Sequence, residues 1–584
     1  MASPATTRTV RPLDGLRAEA AGPPDGPGAG LVAEHLRLLG AGTDHAEGSP
    51  FVVEGAGFAP LVARTAWADA GADLTDEATV QAATGIMAVH GRRDGGPRGI
   101  AADYAATATG VLTVQGVLAG LLAQARGGQV AQVSTSASRA GLLTVSQYLA
   151  AAGADEDEAA ELAPGGPPFT SADGTVFELE TLDPGAWAAF WRVLGAPEKA
   201  VRAGWRPFQF RYATACAPFP EALHVTIRRM EWERIRYAAE VSGAQVCPLR
   251  SLSDRGIPDA PPWSLVPYEA TYPSGATQGG PPLAGLTVLE AGRRIQAPLA
   301  AHLLGLLGAE IVRIEPPGGD PLRGVPPACS GISARWLALN RGKKAVEVDI
   351  KSDADRRRLR EMVAGADVFL HNWAPGKAAE LGLDHEHLAV VNPALVYAYT
   401  SGWADRLPGA PMGTDFMVQA RTGVGEAVRP AGEPPAPSLM TLLDVLGGLL
   451  GTEAVLAGLL LRERTGHGVR VDSSLLGAAD VLTAPALRRL AHGGDARRPA
   501  SFRRPLPTAD GWIAATDTCA PAAAAYDLRG LPTVEALAQL RTHGLSATRV
   551  TADLADLHHD PRFGGSISRD AHGATAVPDP WSFL

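Results

Sequence analysis

One aspartate in the sequence stands where a carboxylate could do chemistry. Asp444 lies near the start of the apolar run Leu442–Leu461, and Gly447 and Gly448 follow it closely. An aspartate with an ordinary pKa of about 3.9 is ionised at pH 7 and can act as a nucleophile, and glycines let a bound ligand approach the backbone. An aspartate at such a place also commonly caps a helix. The residue types therefore leave both roles open.

The sequence repeats itself, and the repeat supplies an internal comparison for Asp444. VQAATG at 80–85 recurs as VQARTG at 418–423, and GVLAGLLAQARGG at 116–128 recurs as AVLAGLLLRERTG at 454–466. Three pairs are each 338 residues apart: Gln81 and Gln419, Gly120 and Gly458, and Val133 and Val471. We infer two diverged copies, residues 10–275 and 283–584, joined by a linker at 274–282.

The same spacing places Ala106 of the first copy at the position of Asp444. An alanine cannot form a covalent intermediate through its side chain, so the first copy is expected to be catalytically silent. Asp103 is nearby but three residues out of register, and we interpret it as a cap or a surface acid. One active site per chain follows from this comparison.

Sequence periodicity indicates an open parallel α/β sheet in the second copy. Its β-rich runs LTVLEA, AEIVRIE, AVEVDIK, ADVFLH and ALVYAY alternate with helical segments, including a charged one at 353–364. The first copy lacks the equivalents of several of these runs, but it has a full segment from about 165 onward. The second copy shortens its equivalent segment, at about 500–560. Each copy is therefore expected to have lost a different part.

Composition narrows the classes of function. The formal net charge is −10, which disfavours nucleic acid and anionic membranes as partners, so an anionic ligand would need a local basic patch. The four cysteines are far apart and suit a reducing compartment, and no secretory signal is evident at the N-terminus. We expect a cytoplasmic protein with no metal site. The most apolar runs contain Asp444 and Glu453, and we interpret them as buried helices.

The second copy resembles the class III CoA-transferases, the CaiB/BaiF family. The strings that carry the resemblance are PLAGLTVLEAG, LLGAEIVRIEPPGGDPLRG, LALNRGKKAVEVDIKS, ADVFLHNWAPG, GTDFMVQARTGV, LLDVLGG and ERTGHGVRVDSSL. Members of that family are interlocked dimers, and each subunit has a Rossmann-like large domain and a small α+β domain. The resemblance implies the same fold here, duplicated within one chain as a pseudo-dimer.

The resemblance also implies a chemistry and a set of site residues. Asp444 would be the nucleophile that forms an acyl-aspartyl anhydride, with coenzyme A as part of the substrate and no permanently bound cofactor. Acyl-CoA and carboxylic acids would be the partners. The CoA-binding positions would be Gln296, Ala297, Arg313, Asn340, Lys343, Lys344, Asn372, Trp373 and Gly376, and the acyl pocket would include Asp415, Gly447 and Gly448. A solvated turn at Lys343–Lys344 and a core role for Trp373 are the structural alternatives.

Two departures from the family pattern bear on the reaction. The glycine-rich loop of some transferases is replaced by HGGDARRP at 492–499 and by PGGPPF at 164–169. The racemase branch carries a histidine before the second aspartate, whereas this chain has Thr414 before Asp415. Threonine is no base at neutral pH, so racemisation is disfavoured. Intramolecular CoA transfer, a non-catalytic CoA-binding role, and a pseudo-dimeric monomer or a homodimer remain as alternatives.

Overall fold

A computed structural model describes residues 10–22, 26–43, 48–69, 73–271 and 280–584 of the chain. The boundary expected at 275 and most of the linker expected at 274–282 lie outside the described residues. The described chain is a mixed α/β protein with parallel and antiparallel strand pairs.

The described residues of the first half form nine strands and ten α-helices. The strands are β1 (Leu16–Ala20), β2 (Gly42–Thr43), β3 (Phe51–Gly55), β4 (Phe58–Ala66), β5 (Gln132–Ser136), β6 (Phe169–Thr170), β7 (Val176–Glu180), β8 (Gln245–Pro248) and β9 (Trp263–Thr271). The helices are α1 (Ala29–Leu38), α2 (Glu77–Ala83), α3 (Ile86–Gly91), α4 (Tyr104–Ala125), α5 (Ala137–Thr144), α6 (Ser146–Ala152), α7 (Pro184–Val193), α8 (Glu198–Thr214), α9 (Glu221–Ile227) and α10 (Trp232–Ser242).

The second half contributes fourteen strands and eleven helices within the described residues. The strands are β10 (Thr287–Ala291), β11 (Glu310–Glu315), β12 (Ala328–Cys329), β13 (Ile332–Ser333), β14 (Lys344–Glu347), β15 (Val368–His371), β16 (Val396–Ser401), β17 (His467–Ser474), β18 (Leu506–Pro507), β19 (Trp512–Ala515), β20 (Ala547–Arg549), β21 (Ser568–Arg569), β22 (Thr575–Ala576) and β23 (Trp581–Phe583). The helices are α11 (Gln296–Leu306), α12 (Ala334–Asn340), α13 (Asp353–Ala364), α14 (Lys377–Glu380), α15 (His385–Val391), α16 (Asp415–Arg421), α17 (Val424–Ala427), α18 (Leu442–Thr465), α19 (Leu475–Ala491), α20 (Ala520–Ala523) and α21 (Thr533–Thr542).

The larger sheet has seven strands in the order β14-β11-β10-β15-β16-β17-β9. All pairs among the first six are parallel, and the five β-rich runs of the sequence form β10, β11, β14, β15 and β16. The charged segment forms α13, where Ser352 caps the helix and acidic residues fill the first turn. The carboxyl ends of β10, β11, β14 and β15 therefore meet at one edge of the sheet.

The other large sheet is reduced, as the sequence predicts for the first half. Its order is β2-β1-β3-β4-β5-β23. Its second strand along the chain, β2, has only two residues, and β3 runs antiparallel to both β1 and β4. This sheet therefore lacks a row of parallel strand ends comparable to the edge formed by β10, β11, β14 and β15.

Each large sheet is completed by a strand from the other half of the chain. β9, from the first half, pairs antiparallel with β17. β23, from the second half, pairs antiparallel with β5, where Trp581 is opposite Thr135. The two halves are therefore interlocked, because each covers an edge strand that would otherwise offer unpaired backbone groups.

The long helices α4 and α18 lie at the centre and contact each other. Their first residues are 338 apart, and the Tyr104 hydroxyl donates to the Leu442 carbonyl across the contact at 3.4 Å. Among the described residues, these two helices are long and apolar enough to cross a membrane. However, 100% and 94% of their most apolar windows are buried inside the protein. They form the core of the molecule, as expected for the apolar runs.

Two smaller units pack against helices of the large units: β7 and β8 contact α16, and β19 and β20 contact α2. The first-half unit contains the three-stranded sheet β6-β7-β8 and helices α7 to α10, around buried Phe169, Trp187, Trp191 and Phe208. Aromatic side chains of this size each bury about 150–250 Å², so the cluster is a hydrophobic core of its own. The second-half unit, β18-β19-β20 with α21, has a smaller core.

Candidate active site

Asp444 is the third residue of α18 and its side chain is partly buried. The helix begins after Thr441, which adopts a left-handed backbone conformation with φ of 53° and is buried. A carboxylate in the first turn is stabilised by the unpaired backbone N–H groups at a helix N-terminus, an effect of about 0.3–1 kcal/mol. Asp444 thus lies in the first turn of a helix whose other residues are mostly buried in the core.

A second carboxylate, Asp415, fixes the start of that helix. It accepts hydrogen bonds from the backbone N–H groups of Leu443 at 2.7 Å and Asp444 at 2.8 Å. The amide of Gln419 also donates to Asp415, and Gln419 in turn is bonded to Ser438, just before the helix. The sequence placed Asp415 in the acyl pocket. In the structure its Oδ2 accepts from both N–H groups of the helix and its Oδ1 accepts from Gln419, so Asp415 acts as a positioning residue for Asp444.

The first half contains a similar arrangement, with Ala106 in place of Asp444. Glu77, 338 residues before Asp415, accepts from the backbone N–H groups of Ala105 and Ala106, both at 2.8 Å, and from Gln81. Ala106 occupies the place of Asp444, as the sequence comparison predicts. Asp103 begins α4 without a side-chain cap and forms an ion pair with Arg503 at 2.6 Å. The first half therefore has a carboxylate, Glu77, that holds the start of its long helix, but no carboxylate at the position of Asp444.

Charge and burial together set the protonation of Asp444. Burial raises its pKa well above the ordinary value, the nearby negative charges of Asp415 and Glu180 raise it further, and the positive charge of Arg294 opposes them. Burial also raises the pKa of Asp415 to about 6, against the hydrogen bonds that stabilise its ionised form. Asp444 consequently takes up protons more readily than a free aspartate, and Arg294 is the cation that favours its ionised form.

Side chains from the first half complete the surroundings of Asp444. Glu180, at the end of β7, accepts a hydrogen bond from the Thr414 hydroxyl at 2.8 Å and forms an ion pair with Arg211 at 3.0 Å. The guanidinium of Arg211 also lies over the ring of Phe416, 4.7 Å from its centre. The site is therefore built from the large sheet of the second half and the small unit of the first.

A cavity of about 540 Å³ lies at the carboxyl ends of β10, β11, β14 and β15. Two predicted residues, Arg313 and Trp373, line it, and so do Arg293, Arg294 and Lys351. Crevices at this edge are where open α/β sheets bind ligands, and the size is typical of a small-molecule site. Three acidic residues also line the cavity, and two of them, Glu315 and Asp320, are paired with arginines. The exposed basic side chains provide the local basic patch that an anionic ligand requires.

Arg294 connects this cavity with Asp444. Its backbone has a φ of 62°, unusual for a residue with a side chain, and its guanidinium lies 5.6 Å from the centre of the Tyr212 ring. Arg294 and Leu322 line both the large cavity and a narrow cleft of about 30 Å³. That cleft is also lined by Tyr212 and by the predicted residue Asn340. Arg294 therefore belongs to the walls of both the cavity and the cleft, and its positive charge acts on Asp444.

The predicted lysines lie elsewhere. Lys343 is buried, and its ammonium donates to Glu290, to the Pro298 carbonyl and to Asn340. Burial lowers its pKa to about 8. Lys344 is exposed and paired with Glu310 at 2.7 Å, at the amino end of β14, away from the cavity. Neither lysine is among the cavity's lining residues, so the expected point-charge role on phosphates does not fit their placement.

Arg313 lines the cavity but is already paired. Its guanidinium forms ion pairs with Glu290 and with Asp320, the latter at 2.6 Å, and all three side chains are largely buried. Asp320 also accepts from the indole N–H of Trp336 at 3.0 Å. Removing one partner of such a network would leave an uncompensated buried charge. Arg313 thus shapes the cavity wall, while Arg293, Arg294 and Lys351 supply its exposed positive charge.

The remaining predicted positions organise the loops around the site. Gln296 and Ala297 are buried in the first turn of α11, and a Cβ on Gly447 or Gly448 would come within 2.8 or 2.9 Å of Gln296. These glycines therefore let α18 pack closely on α11. Asn372 holds the backbone of Arg293, with its side chain donating to the carbonyl and accepting from the N–H. Gly376 starts α14 with a φ of 77° and is not in the cavity wall.

Sequence reasoning missed Arg294, Glu180, Arg211 and Tyr212. The pair Arg293–Arg294 follows the first strand of the second copy directly, so its basic character at a strand end was a usable signal. The other three lie more than 200 residues from Asp444 in the chain, and nothing in their local sequence marks them.

Comparison with known proteins identifies the family of the chain. A family model described as CoA-transferase family III matches residues 66–256 and 283–559. Succinyl-CoA:glutarate CoA-transferase of Mus musculus is 35% identical over 33% of this chain and 45% of its own length. Acetyl-CoA:oxalate CoA-transferase of Acetobacter aceti is 36% identical over 33% of this chain and 51% of its length. The chain thus spans about half the length of these curated relatives.

A solved structure of a CaiB/BaiF family protein from Brucella suis is 26% identical, with a TM-score of 0.46, over 51% of this chain and 92% of that one. The family model covers most of the chain in two separate regions, one in each half. The second region contains Asp444, Asp415 and Arg294, and the first contains Glu180 and Arg211. The chain belongs to CoA-transferase family III.

Proposed function

We propose that the chain transfers coenzyme A from an acyl-CoA donor to a carboxylic acid through an anhydride formed on Asp444. The observation that carries the proposal is the position of this carboxylate at the start of α18, under the positive charge of Arg294, which is also a residue of the cavity wall. The named CoA-transferase relatives support the same reaction class.

The cavity suits the nucleotide end of coenzyme A. Its opening is flanked by Arg293, Arg294 and Lys351, which can bind phosphates, and its wall includes the flat surface of Trp373. The narrow cleft past Arg294 and Tyr212 suits an extended chain such as the pantetheine arm. A thioester at the end of that arm would then reach the start of α18.

The reaction begins with attack of the ionised Asp444 carboxylate on the thioester carbonyl. The new C–O bond forms as the C–S bond breaks, giving an aspartyl-acyl anhydride and the CoA thiolate. The acceptor carboxylate then attacks the aspartyl carbonyl and releases the donor acid, which leaves an anhydride with the acceptor. Attack of the thiolate on the acceptor carbonyl forms the new thioester and restores Asp444.

Thr414 supports transfer over racemisation. Its hydroxyl donates to Glu180, so it is held as a hydrogen-bond donor and offers no base toward an α-carbon. A non-catalytic role is disfavoured by the surroundings of Asp444, because Asp415 holds the helix start and Arg294 favours the ionised carboxylate. Intramolecular transfer between two carboxylates of one substrate uses the same steps.

We also propose that the two halves are copies that fold as an intramolecular pseudo-dimer, each with a large α/β unit and a small unit. The 338-residue spacing of Glu77 and Asp415, their matching hydrogen bonds, and the reciprocal exchange of β9 and β23 support this proposal. In this arrangement one chain builds one complete site.

Adduct trapping tests the proposed reaction. The protein is incubated with succinyl-CoA or acetyl-CoA and then with hydroxylamine, and peptides are analysed by mass spectrometry. We expect a hydroxamate at Asp444 that is absent from Asp444→Ala, and an unchanged adduct in the control Asp103→Ala. Binding of CoA without any adduct, across donors that include both named acyl groups, would refute the proposed transfer.

A further inference from the structure

Residues 438–441, the α18 loop, lead into the helix that carries Asp444, and side chains of the first half hold them. The hydroxyl of Ser438 is buried and lies 2.8 Å from Nδ1 of His90, a buried residue of α3. The same hydroxyl accepts from the backbone N–H of Met440 at 3.3 Å. Arg93, which follows α3, donates to the Pro437 carbonyl at 3.0 Å. The first half thus contacts the chain directly before α18 at two consecutive residues.

The corresponding residues 100–103, the α4 loop, have no such side-chain contact at the matching positions. At the spacing of 338, Val428 corresponds to His90 and Ile100 corresponds to Ser438. The N–H of Ala101 donates to the Val428 carbonyl at 3.0 Å, so Val428 adjoins the α4 loop. Valine and isoleucine side chains form no hydrogen bonds, and both residues belong to the apolar core. The polar pair therefore occurs only on the side of the nucleophile.

Backbone contacts of the two loops are the same in both halves. Gln419 accepts from the N–H of Ser438 at 2.8 Å and donates to its carbonyl at 2.9 Å. Gln81 accepts from the N–H of Ile100 at 2.8 Å and donates to its carbonyl at 3.2 Å. These matching contacts confirm that Ile100 and Ser438 are equivalent in the fold. The difference between the loops therefore lies in their side-chain contacts.

The backbone directly before the helix also differs between the halves. Thr441 has a φ of 53°, which is unfavourable for a residue with a side chain, whereas Asp103, 338 residues earlier, has a φ of −84°. Such a conformation persists only where surrounding contacts hold it. The contact between His90 and Ser438 lies three residues before Thr441, and Asp444 lies three residues after it. The strained residue and the polar pair thus occur together, on the side that carries the nucleophile.

We propose that His90 is a positioning residue for the nucleophile: through Ser438 it holds the α18 loop in the strained conformation from which the helix presents Asp444. The inference rests on the proposed transfer reaction, because its catalytic consequence requires Asp444 to be the nucleophile. His90 does not touch the reacting atoms, since Gln419 and Asp415 continue the hydrogen-bonded chain from Ser438 to the backbone of Asp444.

His90 serves this role as a neutral side chain. Burial lowers its pKa well below the ordinary value, and the positive charges of Arg429, Arg93 and Arg98 lower it further. The imidazole is therefore uncharged at neutral pH, and its contribution is the hydrogen bond to the Ser438 hydroxyl. The amide of an asparagine can donate or accept a hydrogen bond at about the position of Nδ1, so His90→Asn is the conservative variant.

Amide hydrogen exchange, measured by mass spectrometry without substrate, compares residues 439–444 with the corresponding residues 101–106. His90→Val carries the residue that occurs at 428, and Ser438→Ala removes only the hydroxyl. Each should accelerate exchange at residues 439–444 by about tenfold, the factor that corresponds to one lost buried hydrogen bond. Exchange at residues 101–106 should change by less than about twofold, and His90→Asn should exchange like the unmodified chain.

Steady-state transfer, from succinyl-CoA to glutarate and from acetyl-CoA to oxalate, measures the catalytic consequence. His90→Val and Ser438→Ala should each lower kcat by about tenfold, because a displaced nucleophile reacts more slowly. KM for the donor should change by less than about twofold, since neither residue lines the cavity beside Arg294. The double variant should lose no more activity than either single variant, because both changes remove the same contact. His90→Asn should retain most of the activity.

The proposal is overturned if neither single variant accelerates exchange at residues 439–444, or if residues 101–106 accelerate equally, which would indicate general loosening. It is also overturned if kcat is unchanged in both single variants, or if their losses simply add in the double variant. An unmodified chain that transfers CoA between neither pair would instead refute the proposed function for these substrates. The exchange measurement would then still decide whether His90 holds the α18 loop.

Discussion

Removal of the carboxylate that holds the start of α18 tests how Asp444 is positioned. Asp415→Ala leaves the backbone N–H groups of Leu443 and Asp444 without their acceptor at a buried helix end. A buried donor left unpaired costs about 1–3 kcal/mol, so two cost about 2–6 kcal/mol. Since about 1.4 kcal/mol is a factor of ten, we expect amide hydrogen exchange at residues 441–446 to accelerate by roughly 30-fold to 20,000-fold.

The first half provides the matched control, because Glu77 makes the same two backbone contacts at Ala105 and Ala106. Glu77→Ala should accelerate exchange at residues 104–107 to a similar extent and leave CoA transfer per folded molecule nearly unchanged. Asp415→Ala should lower kcat, and Asp415→Glu should restore most of it, since Glu77 shows that a glutamate can hold such a helix end.

Exchange measured by mass spectrometry at pH 8, together with steady-state transfer, checks both effects. At that pH Asp415 and Glu77, with pKa values of about 6 and about 7, are mainly ionised. The reasoning fails if Asp415→Ala exchanges at residues 441–446 like the unmodified chain. It also fails if Glu77→Ala loses as much transfer activity as Asp415→Ala.

Four further predictions follow from the charges around Asp444. The rate of CoA transfer, measured from pH 4 to 9, should fall about tenfold per pH unit below the raised pKa of Asp444. This fall is the acid limb of the pH profile. If the acid limb began only near pH 4, the pKa of Asp444 would not be raised. The pKa of Asp444 is higher in the folded state than its ordinary value of 3.8, so ionised Asp444 makes the folded protein less stable as the pH rises through this range. Asp444→Asn removes this effect and should therefore raise the thermal midpoint more at pH 8 than at pH 4. Equal gains at the two pH values would refute this prediction. Arg294→Ala removes the opposing positive charge, so the fall in activity on the acid side of the profile should move to higher pH, while Arg294→Lys should stay near the unmodified profile. Glu180→Gln removes a negative charge and should move the limb to lower pH; a shift in the same direction as Arg294→Ala would contradict the assignment.

The α/β framework of the second half could be predicted from the sequence because its signals are local. Each β-rich run forms a strand, and the charged segment forms α13 with the expected bounds. The sequence also showed which residues of the two halves correspond, because matching residues are a constant 338 positions apart. That spacing can be found without knowledge of tertiary contacts. Ala106, found by that spacing alone, does lie at the start of α4 in the same relation to Glu77 as Asp444 to Asp415.

Motifs predicted the contacts of charged residues less reliably than periodicity predicted the strands and helices. Lys343 and Lys344 sit in the loop before β14, and a sequence motif cannot show that Glu290 and Glu310 are their partners. Those partners come from β10 and β11, which become neighbours only when the sheet forms. The exposed basic residues at the cavity are instead Arg293, Arg294 and Lys351, at the carboxyl ends of the strands. A basic residue lines the cavity when it lies near the carboxyl end of its strand, and not when it lies at the amino end.

The interlocking of the halves makes each large sheet depend on both of them. Without β9 the edge of β17 would be unpaired, and without β23 the edge of β5 would be, so neither half can dispense with the other's exchanged strand. Contacts between the halves also join the small unit of the first half to residues around Asp444: Glu180 accepts from Thr414, Arg211 lies over Phe416, and Tyr212 lies beside Arg294. The cavity that Arg294 lines is formed by strand ends of the second half, whereas the small unit with the large aromatic core belongs to the first. Under the proposed function, one site per chain therefore requires the large sheet of one half and the small unit of the other.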